Sequence, residues 1–237
     1  MAEAFVKFPR TPHLAWLGIT PPRGDKLLSS AQAAAFLTEP VVVEEKLDGA
    51  CVGLSLGPDG SVRAQHRGGY LTPRSHAQFQ TLWAWLAERE VALREALGAR
   101  LILFGEWCYA RHSVVYDALP DWFMAFDVYD RKGARFWSRA RRDALIGGLP
   151  LASAPMLACG RFDRTELERL LGRSYVGSAP MEGIYLRRED GPWLTARAKL
   201  VRASWIPHNE LHWSRRAIRP NRRVGDFLAR AAEGGRG

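Results

Sequence analysis

Three cysteines in 237 residues are too few and too widely spaced for a disulfide framework or a paired-cysteine metal site. Cys51, Cys108 and Cys159 are instead what a reducing compartment allows. Long apolar runs are missing as well. No stretch approaches the roughly 20 residues that cross a bilayer, and Met1 to Arg10 lacks the apolar centre of a secretory leader. The expectation is a cytoplasmic protein with no membrane partner. Repeats and low-complexity tracts are absent, which excludes a repeat architecture. The histidines His66, His76, His112, His208 and His212 do not fall at zinc-ligand spacing, so structural or surface roles are expected of them. Acidic residues are in deficit, 25 against 34 basic ones, for a net charge of +9. The basic residues are five lysines and 29 arginines. An excess of that size points to a polyanionic partner, nucleic acid first.

What is present reads as one globular domain over residues 1–237, with a lead-in over 1–40, a core over 41–205 and a basic tail over 206–237. Composition suggests disorder only in the last few residues, Glu233 to Gly237. A serine start and an alanine-rich run predict a helix over Ser30 to Leu37, stopped by Pro40. Val41 to Glu45 reads as a strand running into a charged turn. Val52 to Leu56 and Ser61 to His66 read as a hairpin across Gly57-Pro58-Asp59-Gly60. Apolar residues near helical spacing predict one long helix over Pro73 to Leu97. Strands follow at Leu101 to Phe104 and Trp122 to Tyr129, then a short basic helix over Arg139 to Ile146. Leu149 to Leu157 reads as strand or extended chain, and Arg164 to Leu171 as a helix. Glu182 to Arg187 pairs with Trp193 to Val201, and Val224 to Ala232 is a short terminal helix. Strands outnumber helices and tight turns join them, so the fold class is α+β with mainly antiparallel sheets.

Four charged residues stand at or near the ends of these strands: Lys46, Glu106, Glu182 and Lys199. Strands ending at a common face would gather them into one pocket. A lysine, two carboxylates and a second cation suit nucleotidyl transfer. The lysine would attack phosphorus, which requires a neutral amine and hence a pKa lowered by roughly 3 units, about 4 kcal/mol. A divalent cation or a second positive side chain could supply that shift.

Lys46-Leu47-Asp48-Gly49 resembles the KxDG motif of the covalent lysine nucleotidyltransferases, the superfamily of polynucleotide ligases and capping enzymes. Five further stretches resemble its motifs in order: Arg67 after a strand, Phe104-Gly105-Glu106, Ala125-Phe126-Asp127-Val128-Tyr129, Met181-Glu182-Gly183-Ile184, and Ala198-Lys199-Leu200-Val201-Arg202. They cover most of the chain. The resemblance implies an adenylation domain in which Lys46 carries AMP taken from ATP. It implies that the backbone near Glu44 and Glu45 meets the adenine edge and that Phe126 stacks on the base. Asp48 and Arg67 would contact the nucleotide or a substrate 5′-phosphate. Glu106 would bind ribose hydroxyls or metal-bound water, and Glu182 would position the waters of Mg²⁺ or Mn²⁺. Lys199 would contact the transferring phosphate.

Only 32 residues follow Trp205, too few for the five-stranded OB barrel that follows in DNA ligases and capping enzymes. That tilts the resemblance to the ATP-dependent RNA ligases, with RNA (or DNA) carrying 5′-phosphate and 3′-hydroxyl ends as partner and a monomer as the expected state. His112, Tyr116, Leu119 to Phe123 and His212-Trp213-Ser214 add to that likeness. A minimal DNA nick ligase and an inactive nucleic-acid-binding module are the alternatives. Two positions differ from the family pattern. Cys51 stands where such RNA ligases usually carry asparagine and many DNA ligases arginine, and one of the two lysines of the last motif is missing around Lys199, with Arg197 or Arg202 as the candidate second cation. The tail arginines Arg215, Arg216, Arg219, Arg222 and Arg223 are candidates for contact with nucleic-acid phosphates.

Overall fold

The computed structural model describes residues 4–18, 26–203 and 217–225. Two sheets form around the charged turn after the first strand. Strands β1 (Val41–Lys46), β9 (Met156–Gly160), β10 (Gly183–Asp190) and β11 (Trp193–Val201) make a sheet in the order β11-β10-β1-β9, antiparallel throughout. Strands β2 (Ala50–Leu56), β3 (Val62–His66), β4 (Gly69–Tyr70), β5 (Leu101–Trp107), β6 (Phe123–Asp130) and β7 (Arg135–Phe136) make the larger sheet in the order β4-β3-β2-β5-β6-β7. The short β8 (Ala152–Ser153) joins it parallel to β6. Thus β1 and β2, only three residues apart in sequence, lie in different sheets. The turn Leu47-Asp48-Gly49 is the crossover between them.

Period-two alternation then fixes which side chains face the cleft between the sheets. On β1 the odd positions Val41 and Val43 are buried with Phe36 of α1 (Ser30–Leu37), Leu167 of α5 (Arg164–Arg169), Ile184, Leu186 and Leu200. Glu44 and Lys46 therefore turn to the other side, with Tyr185 and Arg187 on β10 and Arg197 and Lys199 on β11. In the larger sheet Leu103 and Trp107 pack outward against α2 (Gln80–Ala87) and α3 (Glu90–Leu97), among Leu82, Trp85, Leu93 and Leu97. Phe104 and Glu106 face the cleft. Apolar residues Phe8, Ile102 and Phe104 close one end of it.

Two expected elements differ from the observed ones. The single helix over Pro73 to Leu97 is a 3-10 turn (Ala77–Phe79) followed by α2 and α3. The break lies at Glu88 and Arg89, where the Arg89 side chain donates to the carbonyl of Trp85 (3.1 Å) and packs over its ring, satisfying the end of α2. Val91, counted in the apolar stripe, is 70% exposed as a result. The extended stretch Leu149 to Leu157 splits into β8 and β9 on opposite sheets. Pro155 between them has no N–H to give a ladder, and its carbonyl instead accepts from Glu45 N (2.8 Å). The helix α4 (Arg139–Ile146) has the predicted bounds. The expected helix from Val224 lies almost entirely outside the described residues.

Candidate active site

A cavity of about 310 Å³ opens between the sheets, with Lys46 at its floor. The Lys46 Nζ donates to Glu182 Oε2 at 2.6 Å, and 27% of its side chain remains exposed. Glu182 precedes β10, whose Gly183 pairs with Lys46 across the ladder, so the antiparallel register itself delivers the carboxylate to the amine. Glu106, from β5, accepts from Gly49 N at 3.0 Å through Oε1. The motif needs glycine there: a Cβ on Gly49 would lie 2.6 Å from the Trp107 carbonyl oxygen. Lys199 lines the cavity from β11, and its backbone is held by Pro12 O (2.9 Å) and Leu14 N (2.8 Å) of the lead-in.

Carboxylates dominate the electrostatics around the amine. Burial pushes Glu106 up to about 8 and Glu182 up to about 7, in each case partly offset by Lys46. Burial alone would lower the Lys46 pKa, but Glu182, Glu106 and Asp48 outweigh it and hold the ammonium above the ordinary lysine range. The protein's own groups are therefore arranged opposite to what nucleophilic attack needs. Lys46 is stored as a charged partner of Glu182.

The other end of the cavity is a wall of buried ion pairs. Glu44 is fully buried; its Oε1 accepts from Arg142 Nη2 (2.6 Å) and Arg139 Nε (3.2 Å), while Oε2 is buried without a hydrogen bond. Asp127 accepts from Arg187 (2.5 Å), Arg197 (3.0 Å) and the Tyr185 hydroxyl (3.0 Å). Between these groups lies Phe126. The β5–β6 register passes from Phe104 opposite Asp127 to Gly105 opposite Ala125, which leaves Phe126 as an unpaired bulge. Its freed carbonyl is taken by Arg142 (2.5 Å) and Arg187 (3.0 Å), and its side chain lines the cavity beside Phe8, with ring centroids 5.2 Å apart.

The structure thus brings Lys46, Glu106, Lys199, Glu44, Phe126 and Arg67 to one cavity, with Glu182 bonded to Lys46 behind it and Arg67 reaching it from the turn between β3 and β4. Other candidates are placed elsewhere. The Asp48 carboxylate turns away from the cavity and accepts from Ser113 N (2.7 Å) and Val114 N (3.0 Å), while Asp48 N donates to the Tyr116 hydroxyl (2.7 Å). It anchors the loop beside the turn. Glu45 lines the cavity as well, but its carboxylate lies on the opposite face of β1 and accepts from Tyr175 N (2.8 Å). Arg197 is committed to Asp127 and stacks over Phe136 (3.9 Å). Arg202 meets the site through its backbone, donating to Glu182 O (3.0 Å). In the tail, Arg219 and Arg222 dock by backbone hydrogen bonds to Arg111 and Tyr116, and Arg223 lies over Trp122 (4.9 Å). Asn221 anchors that segment, accepting from Tyr116 N (2.9 Å) and donating to Cys108 O (2.8 Å). Arg215 and Arg216 lie outside the described residues. Sequence reasoning missed Phe8, Pro9, Thr11 and Tyr185 in the wall. Phe8, between basic residues and Pro9, has no periodic partner to mark it; Tyr185 was visible only as an alternating strand position.

No cluster of three or more His, Cys, Asp or Glu suited to a metal ion occurs among the described residues. The donor set is the carboxylate pair Glu106 and Glu182. Two carboxylates fit a hard divalent cation that keeps several waters and takes phosphate oxygens as further ligands.

Comparisons with known proteins sharpen this picture. A family model described as RNA ligase matches residues 39–201. Curated proteins give no match. Among solved structures, a mutant of Naegleria gruberi RNA ligase with ATP and Mn aligns at a TM-score of 0.55 and 18% identity, covering 91% of this chain and 62% of that one. The same ligase with PPi aligns at 0.54 and 19%, covering 87% and 60%. A further mutant with AMP and Mn aligns at 0.54 and 18%, covering 89% and 59%. At such identities the likeness is one of fold, and the present chain spans about three fifths of those chains.

Proposed function

The chain belongs to the RNA ligase family, and from that premise we propose that it is an ATP-dependent RNA ligase joining 5′-phosphate and 3′-hydroxyl ends. The observation that carries the reading is the placement of the Lys46 amine, 2.6 Å from Glu182 at the floor of a cavity that Glu106, Lys199 and Phe126 also line. In this reading the base of ATP lies toward Phe126 and the β1 backbone at Glu44 and Glu45, which line the same cavity. Its phosphates then reach Lys46 and Lys199.

In the first step Lys46 Nζ attacks the α-phosphorus. An N–P bond forms, the bond to the β-phosphate oxygen breaks, and pyrophosphate leaves. The proton on Nζ must go first, and Glu182, already its hydrogen-bond partner and pushed up to about 7, is placed to take it. Lys199 faces the charge that develops on the phosphate. Glu106 and Glu182 would hold a divalent cation, and its positive charge would lower the lysine pKa and shield the phosphates. AMP next moves to a 5′-phosphate, and a 3′-hydroxyl then displaces it. The exposed arginines of the docked tail, Arg219 and Arg222, support contact with the polynucleotide backbone.

Incubation with α-labelled ATP and Mg²⁺ or Mn²⁺ tests the first step; absence of protein-bound label would show a binding module rather than a ligase. Sealing of matched RNA and DNA nicks tests the substrate. Faster sealing of RNA supports the proposal, and faster sealing of DNA identifies a minimal DNA nick ligase.

A further inference from the structure

The crossover Leu47-Asp48-Gly49 lies outside both sheets, so groups other than strand ladders must hold the backbone beside Lys46. Gly49 N donates to Glu106, and Asp48 N donates to the Tyr116 hydroxyl (2.7 Å). The Asp48 carboxylate accepts from Ser113 N (2.7 Å) and Val114 N (3.0 Å). The Leu47 side chain is buried in one cluster with Cys108, Val114, Tyr116 and Leu119. All of these partners except Glu106 come from residues 108–119, a segment between β5 and β6 that contains no helix or strand. The docked tail brackets that segment in turn. Arg111 N donates to Arg219 O (2.8 Å), Asn221 N to Tyr109 O (2.8 Å), Arg222 N to Tyr116 O (3.0 Å) and Leu119 N to Arg222 O (3.1 Å). One tail side chain is buried among them. Asn221 is 2% exposed; its Oδ1 accepts from Tyr116 N (2.9 Å), and its Nδ2 donates to Cys108 O (2.8 Å). No described residue beyond Lys199 lines the nucleotide cavity, so the described tail meets the site through these bonds rather than by touching a ligand there.

We propose that Asn221 is a positioning residue for Lys46: by tying Cys108 to Tyr116 it sets the Tyr116 hydroxyl against Asp48 N and so fixes the crossover that aims the lysine amine into the cavity. The proposal rests on the ligase reading for the reaction it serves. The residue type suits the task. A primary amide presents an acceptor and a donor on one short side chain, so a single buried residue serves a backbone N–H and a backbone carbonyl together. Aspartate has the same shape but, ionised, no donor for the Cys108 carbonyl, and alanine has neither group. The path from the tail to the nucleophile is short: Asn221 bonds to Tyr116, Tyr116 to Asp48, and Asp48 stands two residues from Lys46. In-line attack depends on where the amine sits, and a small displacement of a reacting group is enough to slow a reaction by a large factor.

The test uses the full chain and the first step alone, which needs no polynucleotide, so phosphate contacts of the tail arginines do not enter. Single-turnover labelling by α-labelled ATP and Mg²⁺ is followed for Asn221→Ala, for Tyr116→Phe, which keeps the ring and removes the hydroxyl, and for the two combined. The expected result is a labelling rate constant about tenfold lower in each single variant at saturating ATP, with the half-saturating ATP concentration within about twofold of the parent. The double variant should stay near the single ones, not reach the roughly hundredfold loss that independent effects would give. A rate constant equal to the parent's with less protein labelled would assign Asn221 to stability alone and overturn the proposal, and so would rates that multiply. Asn221→Ser, whose hydroxyl retains an acceptor for Tyr116 N, gives the same reading if the alanine variant does not fold. Hydrogen exchange at the Asp48 amide reads the coupling without nucleotide. It should quicken about tenfold or more in Asn221→Ala or Asn221→Ser while the β2 and β5 amides exchange as in the parent; unchanged exchange at Asp48 would overturn the proposal. Failure of the parent protein to label would instead count against the ligase reading, and the exchange comparison would still decide whether Asn221 holds the crossover.

Discussion

The proposed reaction and the folded chain make opposite demands on Lys46. In the folded chain it pairs with Glu182 and offsets part of the effect of burial on Glu106. The same pairing keeps it protonated. Glu106 provides a measurable consequence. Its pKa rises from 4.5 to about 8 on folding, so the folded chain holds that proton more tightly than the unfolded chain. The associated stability is fully present below about 4.5 and is lost as pH rises through about 8. Glu106→Gln removes this loss. The variant should gain stability relative to the parent as pH is raised across that window, with a slope approaching about 1.4 kcal/mol per pH unit, read by denaturant unfolding in metal-free buffer. A pH-independent difference would mean that Glu106 is not held in its protonated form.

The bulge in β6 does for the cavity wall at Phe126 what the crossover turn does for Lys46. It lifts Phe126 out of the ladder, and α4 secures it through Arg142, which is fully buried and joins the Phe126 carbonyl on one sheet to Glu44 on the other. Arg142→Gln strands a buried carboxylate and should cost about 3–5 kcal/mol. At 2–4 °C per kcal/mol, the melting temperature should fall by roughly 10 °C, and the KM for ATP should rise more than kcat falls. Arg139→Ala, which leaves the Arg142 bond to Glu44 in place, should shift melting much less. Equal effects of the two substitutions would remove Arg142 from this role. None of this was legible in the sequence. Ala125 to Tyr129 reads as an ordinary strand, because a bulge adds no residue type that marks it. The basic run from Arg139 to Arg142 reads as a solvated helix, because burial of an arginine depends on carboxylates distant in the chain. By contrast β11 and the hairpin at Gly57 to Gly60 were legible, since alternation and turn residues are local signals.

At the scale of the molecule, the cleft is made by two sheets joined by very short crossovers, Leu47 to Gly49 and Ala154-Pro155. The sequence marked the charged residues along this cleft but not that β1 and β2 part into separate sheets, because a charged turn between two apolar strands reads equally well as a hairpin. Nor did it show that the lead-in contributes Phe8, Pro9 and Thr11 to the wall. A ligand bridging the sheets should stabilise the whole domain. ATP with a divalent cation at about 100 times its Kd adds about 2.7 kcal/mol, a rise of roughly 5–10 °C in melting temperature. Lys46→Ala should keep much of that rise, because it removes the nucleophile and leaves the base-binding wall intact; no rise in either protein would argue against the cavity as the nucleotide site. The central claim is that Lys46 becomes the AMP carrier, and peptide mapping by mass spectrometry after incubation with ATP and Mg²⁺ or Mn²⁺ tests it most directly. The account predicts one AMP on the peptide containing Lys46, lost when pyrophosphate is added and absent from Lys46→Ala. AMP on another residue, or none on the parent protein, would contradict it.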